Sequence, residues 1–337
     1  MKHTVIGMDI AKSVFQLHEV DRETGEIKRT KLARGAVLPF FAQHAVALVA
    51  IEACGSAHWW GRQLRALGHE VRLLAPRSVR PFVVGNKTDA ADARAIWTAV
   101  QQPGARFVAI KTEPQQAILA LHRMRAQLMK FRIMQTNALR GLLYEFGVVL
   151  PEGVRALAKA WPSALATVAD QLPAILINSL REQWARVGAT ESEIAAIERR
   201  LASALRESPH CQQIAAIPGV GLLTATAAVA VMGNANTFKS GREFAAWLGL
   251  VPRQTGTGGR IRQLGLSKRG DTYLRTLLIH GARAVIAKAR HSPWIEALLM
   301  RRPYSVVVAA LANKLARTIW AVLAKGRPYN PAAFSAA

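Results

Sequence analysis

The run TVIGMDI at residues 4–10 establishes the start of the fold, because it is an apolar strand pattern that contains an acidic residue, Asp9, near its end. The run ALVAIE at residues 47–52 has the same character and ends in Glu52. Short apolar runs of this kind predict buried β-strands. A carboxylate at the end of a buried strand is costly unless a cation pairs with it. The candidate cations are Lys, Arg or a hard divalent metal ion.

Two further acids follow in the run KTDAADAR at residues 87–94. This run predicts the first turn of a helix, and Asp89 and Asp92, at positions i and i+3, share one face of it. Phosphodiester cleavage is commonly supported by two Mg²⁺ ions about 4 Å apart, held by carboxylates. A single Asp at a strand end is usually a cap or an ion-pair partner. Four acids on these elements favour a metal site made of Asp9, Glu52, Asp89 and Asp92.

The order of the predicted elements indicates a mixed α/β sheet followed by helices. Residues 4–34 predict three strands with a hairpin turn at residues 21–25, and helices alternate with strands as far as residue 110. Two amphipathic segments, 114–146 and 191–205, have apolar residues at spacings of three and four. They predict an antiparallel pair, a coiled-coil dimerisation arm, or ordinary helices packed on a core.

These patterns predict four consecutive parts of the chain. Residues 1–112 are expected to form an α/β catalytic domain and residues 113–207 a helical or coiled-coil arm. Residues 208–325 are expected to form a mainly α C-terminal domain, and residues 326–337 a disordered tail.

The charge of the chain predicts a polyanionic partner. The formal net charge is +24, from 45 Lys and Arg against 21 Asp and Glu, and residues 208–337 contain 17 of the bases but only 3 of the acids. A surface this basic is typical of proteins that bind nucleic acids, whereas a merely soluble surface mixes both signs. The two cysteines indicate neither a disulfide framework nor a Cys-based zinc site, and neither a signal peptide nor an apolar run of membrane-spanning length is recognised. A soluble cytoplasmic protein is therefore expected.

Two glycine-containing motifs are candidates for contact with a nucleic acid. The run IPGVG at residues 217–221 is typical of a helix-hairpin-helix turn, in which Gly219 and Gly221 let the backbone approach and helix N–H groups hold a phosphate. A purely structural turn between two helices explains this run nearly as well. The run RQTGTGG at residues 253–259 predicts a flexible loop, either a linker or a place where DNA or RNA lies against the backbone.

Basic residues near these motifs complete the predicted contact surface. The run SKRGD at residues 267–271 predicts a cap for a helix that begins near Thr272 and ends at about residue 289. Near the acids, Lys12 is either a phosphate contact or a solvated lysine. The predicted nucleic-acid contacts are Lys12, Gly219, Gly221, Arg253, Arg260, Arg262, Lys268, Arg269 and Arg275.

Taken together, these motifs resemble the DEDD insertion-sequence transposases of the IS110 family. The runs GMDIAK, IEACG and KTDAADA, at residues 7–12, 51–55 and 87–93, resemble the metal-binding motifs of that family. The runs IPGVG, AWLGLVPRQ and SKRGDTYLR, the last two at residues 246–254 and 267–275, look like its second, transposase domain. The resemblance implies a RuvC-like, RNase H-type first domain, whose Mg²⁺ site of one or two ions is Asp9, Glu52, Asp89 and Asp92.

The same resemblance implies a mechanism and a set of partners. A helical arm and a C-terminal domain with a serine nucleophile follow the metal domain, and a bridge RNA pairs with both target and donor DNA. The resemblance further implies a homodimer or homotetramer, in which the metal domain of one subunit meets the nucleophile of another. Recombination passes through a covalent protein–DNA ester.

The expected nucleophile is where this sequence departs from the family. The family's serine falls in the loop after the Leu-Val-Pro run, beside a glycine, and residues 255–258 read TGTG with no serine. Thr257 is the preferred match and Thr255 the alternative. A threonine hydroxyl performs the same chemistry, but its β-methyl group hinders it more.

The predicted function is that of an insertion-sequence transposase, an RNA-guided DNA recombinase located in the bacterial cytoplasm at the nucleoid. Two alternatives stay open. A Mg²⁺-dependent junction-resolving nuclease would use the same acids without a hydroxyl nucleophile. A catalytically impaired relative would retain only DNA or RNA binding through the basic C-terminal region.

Overall fold

The computed structural model of the chain describes residues 4–21, 24–86, 88–288 and 292–331. The chain divides into two units. The first contains the residues up to Gln115 together with Met232–Thr237, and the second contains Gln116–Val231 and the residues from Phe238 onward.

A six-stranded mixed sheet organises the first unit, with strand order β3-β2-β1-β4-β5-β6. The strands are β1 Val5–Asp9, β2 Val14–Val20, β3 Ile27–Ala33, β4 Leu48–Glu52, β5 Glu70–Leu74 and β6 Phe107–Val108. The first three pair antiparallel, β4 and β5 extend the sheet parallel to β1, and β6 pairs antiparallel with β5. The predicted mixed sheet is confirmed, while part of its predicted turn, residues 22 and 23, lies outside the described residues.

Helices cover both faces of this sheet. They are α1 Val37–Gln43, α2 Ala57–Ala66, α3 Pro76–Val79 and α4 Asp89–Val100. Because side chains alternate along a strand, Ile6 and Met8 of β1 pack with α1 and α2, whereas Val5 packs with α4. The neighbouring strand β4 divides in the same way, since Val49 and Ile51 join the first cluster and Leu48 and Ala50 the second.

Long helices open the second unit. They are α5 Glu113–Tyr144, α6 Val154–Ala169 and α7 Ala174–Glu207. Arg125 of α5 pairs with Glu198 of α7 at 2.7 Å, and Arg132 pairs with Glu191 at 3.2 Å. Seven residues forward on α5 thus correspond to seven residues backward on α7, so the two helices run antiparallel. A role for this pair as a coiled-coil arm stays a prediction.

The C-terminal part of the second unit is mainly helical and includes one hairpin. Its elements are α8 Pro209–Ala215, α9 Leu222–Met232, α10 Gly241–Trp247, β7 Pro252–Thr257, β8 Arg260–Leu266, α11 Thr272–Ile286, α12 Pro293–Leu299 and α13 Tyr304–Lys325. Residues 332–337 of the predicted disordered tail, like residue 289 at the predicted helix end, lie outside the described residues.

The hairpin of β7 and β8 corrects the prediction of a loop at residues 253–259. Thr257 pairs with Arg260, and the two-residue turn between them is Gly258-Gly259, with φ of +54° and +78°. A two-residue turn of this kind needs positive φ at both positions, which glycine adopts without strain. The sequence did not predict the hairpin, because every residue of β7 is exposed and the strand lacks an alternation of apolar and polar residues.

One helix of the described chain, α13, has the length and hydropathy of a membrane-spanning segment. This helix differs from the prediction that no apolar run has membrane-spanning length. Half of its most apolar window is buried, and α13 contacts α8, α10, α11 and α12. Its apolar face therefore packs within the second unit.

A glycine pair holds the turn between α8 and α9 against α11. A Cβ atom on Gly281 would lie 2.1 Å from the carbonyl oxygen of Gly219, which has a φ of +86°. The two backbones therefore touch, and no larger residue fits at either position. The turn at residues 217–221 thus has a packing function, and its use as a helix-hairpin-helix nucleic-acid contact stays a prediction.

We expect Gly281→Ala to destabilise the protein by about 2–4 kcal/mol, because the added methyl group meets backbone atoms that cannot rotate away. Thermal or urea unfolding measures the effect. Gly188→Ala is the matched control, because Gly188 also lies inside a helix and a Cβ atom there meets nothing within 4 Å. The control is expected to be neutral or stabilising. Equal stability of the two variants would contradict the packing role.

Candidate functional site

Adjacent strand ends bring Asp9 and Glu52 to one edge of the sheet. Parallel β1 and β4 are in register with Met8 opposite Ile51, so the next residue of each strand is an acid. Because side chains alternate along a strand, Asp9 lies on the same face of the sheet as Val5, and Glu52 on the same face as Leu48. This is the face that α4 covers. The two carboxylates therefore point toward α4 from neighbouring strands.

The start of α4 supplies the other two acids. Thr88 caps the helix, because its Oγ1 accepts a hydrogen bond from the Ala91 N–H at 3.2 Å. This cap fixes Asp89 and Asp92 in the first turn. The positive end of the helix dipole is there, and it favours carboxylates.

Gly7 sets how closely α4 approaches the sheet. A Cβ atom at Gly7 would lie 2.3 Å from the Ala93 carbonyl oxygen and 2.7 Å from the Trp97 nitrogen. The backbone of α4 thus rests directly on β1 one turn beyond Asp89. Gly7 was not among the residues predicted from the sequence. The available signal was a glycine inside an otherwise apolar strand, which often marks a close backbone approach.

Three of the carboxylates act electrostatically on the fourth, Asp9. The pKa of Asp9 is raised from 3.8 to about 6, first by burial and then by the charges of Asp92, Asp89 and Glu52. A backbone hydrogen bond from the Ile10 N–H lowers the pKa in part. Within the described ranges, no ion pair joins Asp9, Asp89 or Asp92 to a Lys or Arg. In this part of the chain the structure therefore gathers the charges of Asp9, Asp89 and Asp92 without pairing them with a Lys or Arg.

The donor set is suited to a hard divalent ion. Among the described residues, no group of three or more Asp, Glu, His or Cys side chains already stands in position to hold a metal ion. All four donors are carboxylates, the ligands that Mg²⁺ prefers, and a cation among them would remove the repulsion that raises the pKa of Asp9. Asp89 is exposed and the other three are half-buried, so their side chains have room to turn toward a shared ion.

Two other residues lie beside the acids. The pKa of the Cys54 thiol is raised by partial burial and by the charges of Glu52 and Asp9, which disfavours the thiolate form. Lys12 follows β1 in an exposed position, and its backbone carbonyl accepts a hydrogen bond from Arg34 Nη1 at 3.4 Å. Its side chain can therefore reach solvent or a phosphate.

The hairpin pairs each candidate hydroxyl with an arginine. Thr257 lies opposite Arg260 and Thr255 opposite Arg262 in the register of β7 and β8. Directly opposed side chains lie on the same face of a hairpin, with Cβ atoms about 5 Å apart. All four are exposed. Each hydroxyl thus has a guanidinium beside it that can bind a phosphate.

Arg275 differs from the prediction that it contacts nucleic acid. It is buried, and its Nη1 donates to the carbonyl oxygens of Leu248 at 2.8 Å and Arg269 at 3.1 Å. Its Nη2 donates to Thr272 Oγ1 at 3.1 Å. The guanidinium therefore fastens the end of α10 to the start of α11. By contrast, Lys268 and Arg269 are at least partly exposed.

Comparison with known proteins gives consistent matches along the chain. The model described as "Transposase IS116/IS110/IS902 family" matches residues 211–299, and the DEDD transposase model of IS110 matches residues 6–147. The first matched region contains the hairpin and the second contains all four acids.

Curated relatives match over nearly the whole length. The chain is 47% identical to the "Probable family 20 transposase" of Pseudomonas aeruginosa, covering 97% of this chain and 98% of that protein. It is 37% identical to the transposase for insertion sequence element IS1328 of Yersinia enterocolitica, with 97% and 98% covered. It is also 37% identical to the transposase for IS1111A of Coxiella burnetii, with 97% and 91% covered.

The raised pKa of Asp9 predicts a pH-dependent penalty in the metal-free protein. Because the folded pKa of about 6 exceeds the ordinary value of 3.8, stability is lost as pH rises through this interval. We expect Asp9→Asn to be more stable than the wild type at pH 7.5 in a chelator, by about 1 kcal/mol after solvent screening. The advantage should shrink at pH 4.5. Urea unfolding at the two pH values measures it.

Asp170→Asn is the control for this comparison, because Asp170 is exposed at the end of α6, far along the chain from the acids. It should shift stability little at either pH. Added Mg²⁺ should stabilise the wild type and not Asp9→Asn, since an ion that binds only the folded site raises its stability. If Asp9→Asn is no more stable than the wild type at pH 7.5, the repulsion of Asp9 by the other three carboxylates is contradicted.

Proposed function

The chain belongs to the IS116/IS110/IS902 family of transposases, and on that premise we propose that it cleaves and rejoins DNA strands to move an insertion sequence under the guidance of an RNA. It is a transposase with DNA as its substrate. Its DEDD domain implies a RuvC-like, RNase H-type fold, to which the mixed sheet conforms, and the use of a divalent metal. The observation that carries the proposal is that two strand ends and the first turn of α4 bring three carboxylates near enough to Asp9 for their charges to raise its pKa.

Asp9, Glu52, Asp89 and Asp92 are proposed to hold Mg²⁺, as one or two ions. Bound ions of this kind neutralise charge on the scissile phosphate and lower the pKa of an attacking hydroxyl. The protein contributes rigid placement, because two of the acids end paired strands and two begin a capped helix that rests on Gly7. Lys12, exposed after β1, is proposed to contact the DNA backbone.

Thr257 is proposed as the nucleophile, with Thr255 as the alternative. Attack by the Thr257 hydroxyl oxygen forms a new phosphate ester, and the bond from phosphorus to one DNA oxygen breaks at the same time. The hydroxyl of another DNA strand can then attack this ester, which forms the new DNA phosphodiester and releases the Thr257 hydroxyl, so the number of phosphate ester bonds is unchanged. Arg260, which lies opposite Thr257 in the hairpin, is proposed to bind the phosphate under attack.

Nucleic-acid binding is proposed to use the exposed basic residues of the C-terminal part. Arg253, Arg260 and Arg262 project from an exposed hairpin, and Lys268 and Arg269 follow it. Double-stranded target and donor DNA and the guide RNA are all polyanions that such a surface attracts. Arg275 is left out, because its guanidinium is occupied inside the protein. A protein that acts on the chromosome is expected at the nucleoid of the bacterial cytoplasm.

The arm is proposed to join two copies of the chain into a homodimer, or two dimers into a tetramer. Its long helix α5 has an exposed apolar stripe of Met124, Phe131, Met134 and Leu142, with exposed fractions of 52%, 45%, 65% and 46%. Their spacing of seven, three and eight residues follows one helix face in the manner of a coiled-coil seam. A stripe of this kind favours self-association, because water contact with large apolar side chains is costly.

A junction-resolving nuclease is the second candidate, and one observation favours it. The hairpin lacks the serine that the family uses, whereas the four acids are all present. Product analysis separates the two functions, because strand exchange with religation requires a recombinase and simple nicking requires only a nuclease. A relative that binds without chemistry would give neither product.

We expect Asp9→Ala to reduce strand transfer by at least about a thousandfold, because it removes a central carboxylate from the proposed ion site. Binding to DNA should change less than about threefold, since the basic surface stays intact. A gel assay of recombined products together with a binding titration measures both. Normal recombination by the variant would contradict the metal-site proposal.

We expect Thr257→Ala to abolish the covalent protein–DNA adduct and Thr257→Ser to retain or increase it, because serine has the same hydroxyl without the hindering methyl group. A nicked suicide substrate traps the adduct, and mass spectrometry of the peptide locates it. Thr255→Ala is the matched control, since Thr255 lies on the same strand with its own arginine opposite. An adduct that survives Thr257→Ala but not Thr255→Ala would transfer the role to Thr255.

A further inference from the structure

A groove lies in the C-terminal part of the second unit, with a volume of about 1650 Å³. The start of α10, the base of the hairpin, α12, α13 and the segment after α13 form its walls. None of its described lining residues is Asp or Glu. Its basic lining residues are Arg242, Arg253, Lys268, Lys314, Arg317, Lys325 and Arg327.

The walls of the groove are fixed by contacts that do not depend on a ligand. The indole N–H of Trp320 donates to the Phe238 carbonyl oxygen at 3.2 Å, and Asn313 Nδ2 donates to the Leu250 carbonyl oxygen at 3.0 Å. A Cβ atom on Gly241 would lie 3.0 Å from the Arg317 backbone, so α10 rests directly on α13. The groove is thus a preformed feature of the domain.

Like charges are held close together in this groove. Lys314 is buried with its ammonium 4.3 Å from the centre of the Trp294 ring. Burial, and then the neighbouring charge of Arg317, lower its pKa. Arg317, Lys325 and Arg327 are exposed along the same groove. Clustered cations without an acid in the lining create a positive potential that attracts an extended anion.

The groove also has apolar and aromatic lining that a duplex would not use. Trp294 and Trp320 line it together with Leu250, Leu264 and Val322. A double helix presents phosphates to a protein groove and keeps its base faces stacked inside. An unpaired strand presents both phosphates and base faces, and basic grooves with aromatic side chains are typical of single-strand binding.

We propose that this groove binds an unpaired nucleic-acid strand, with its phosphates on the exposed Arg and Lys residues and its bases against the apolar wall. The proposal rests on the proposed function and deepens it. Pro252 and Arg253 belong both to the groove and to β7. At about 3.3 Å per residue, Thr257 lies about 16 Å along the strand from Pro252, so a strand leaving the groove along the hairpin reaches the candidate nucleophile. An unpaired strand comes either from the guide RNA or from opened DNA.

The test compares two charge-reversed forms of the full chain. The groove variant is Arg317→Glu with Lys325→Glu, and both residues are exposed, so folding should be retained. The control variant is Arg155→Glu with Lys159→Glu, an equal charge change at two exposed positions of α6. Fluorescence anisotropy measures binding to unstructured RNA and DNA strands of about 12 nucleotides and to a DNA duplex of the same length.

We expect the groove variant to lose at least tenfold in affinity for one or both unpaired strands and less than threefold for the duplex. The control variant should show a small loss of affinity that is the same for the RNA strand, the DNA strand and the duplex. A loss confined to RNA identifies the guide as the occupant, and a loss confined to DNA identifies an opened DNA strand. The proposal is overturned if the groove variant and the control variant lose the same affinity for the unpaired strands. It is also overturned if the groove variant loses the same affinity for the strands and for the duplex.

Photocrosslinking gives a second readout that is independent of substitutions. Wild-type protein is irradiated with strands that contain 4-thiouridine or 5-bromodeoxyuridine, and mass spectrometry locates the crosslinked peptides. Crosslinks to the peptides of Trp294 or Trp320 support the groove, and crosslinks only elsewhere contradict it. If the wild type recombines DNA but the anisotropy and crosslinking results contradict strand binding in the groove, only the groove proposal is refuted. A wild type that binds no nucleic acid refutes both the groove and the proposed function.

Discussion

The contact between the backbone of α4 and Gly7 of β1 is the constraint on which the candidate site depends. Any side chain at Gly7 would collide with Ala93 or Trp97, so the start of α4 sits at a defined height above the sheet. Asp89 and Asp92 are the first-turn residues of that helix, and Asp9 lies two residues beyond Gly7. A glycine with no chemistry of its own thereby positions two pairs of acids that come from distant parts of the chain.

Gathering these acids opposes folding, which is consistent with the raised pKa of Asp9. Burial and three nearby carboxylates hold a proton on Asp9 up to about pH 6. Functional sites commonly keep such unfavourable arrangements, because the groups are needed for binding or chemistry. The apolar layers on both sides of the sheet stabilise the domain against this repulsion. A divalent ion would convert the repulsion into binding energy.

The basic C-terminal part divides its cations between structure and surface. Arg275 is buried and holds three protein oxygens, whereas the arginines of the hairpin and of the groove are exposed. Arginine suits both uses, because its planar guanidinium makes several directional hydrogen bonds and is always charged. The neighbourhood of each arginine, rather than its presence in a basic run, therefore determines whether it is available to a phosphate.

Local patterns in the sequence determined the strands that end in Asp9 and Glu52, the helix that begins at Asp89, and the cationic character of the last third of the chain. These features follow from neighbouring residues alone, through apolar runs, capping and net charge. The close approach at Gly7, the pairing of Thr257 with Arg260, the burial of Arg275 and the groove along α13 emerged only in three dimensions. The contact at Gly7, the burial of Arg275 and the groove arise from contacts between segments that lie apart along the chain, and the composition of a single segment contains no information about such contacts. The hairpin that pairs Thr257 with Arg260 is local, but its exposed polar residues show no periodicity that predicts a strand.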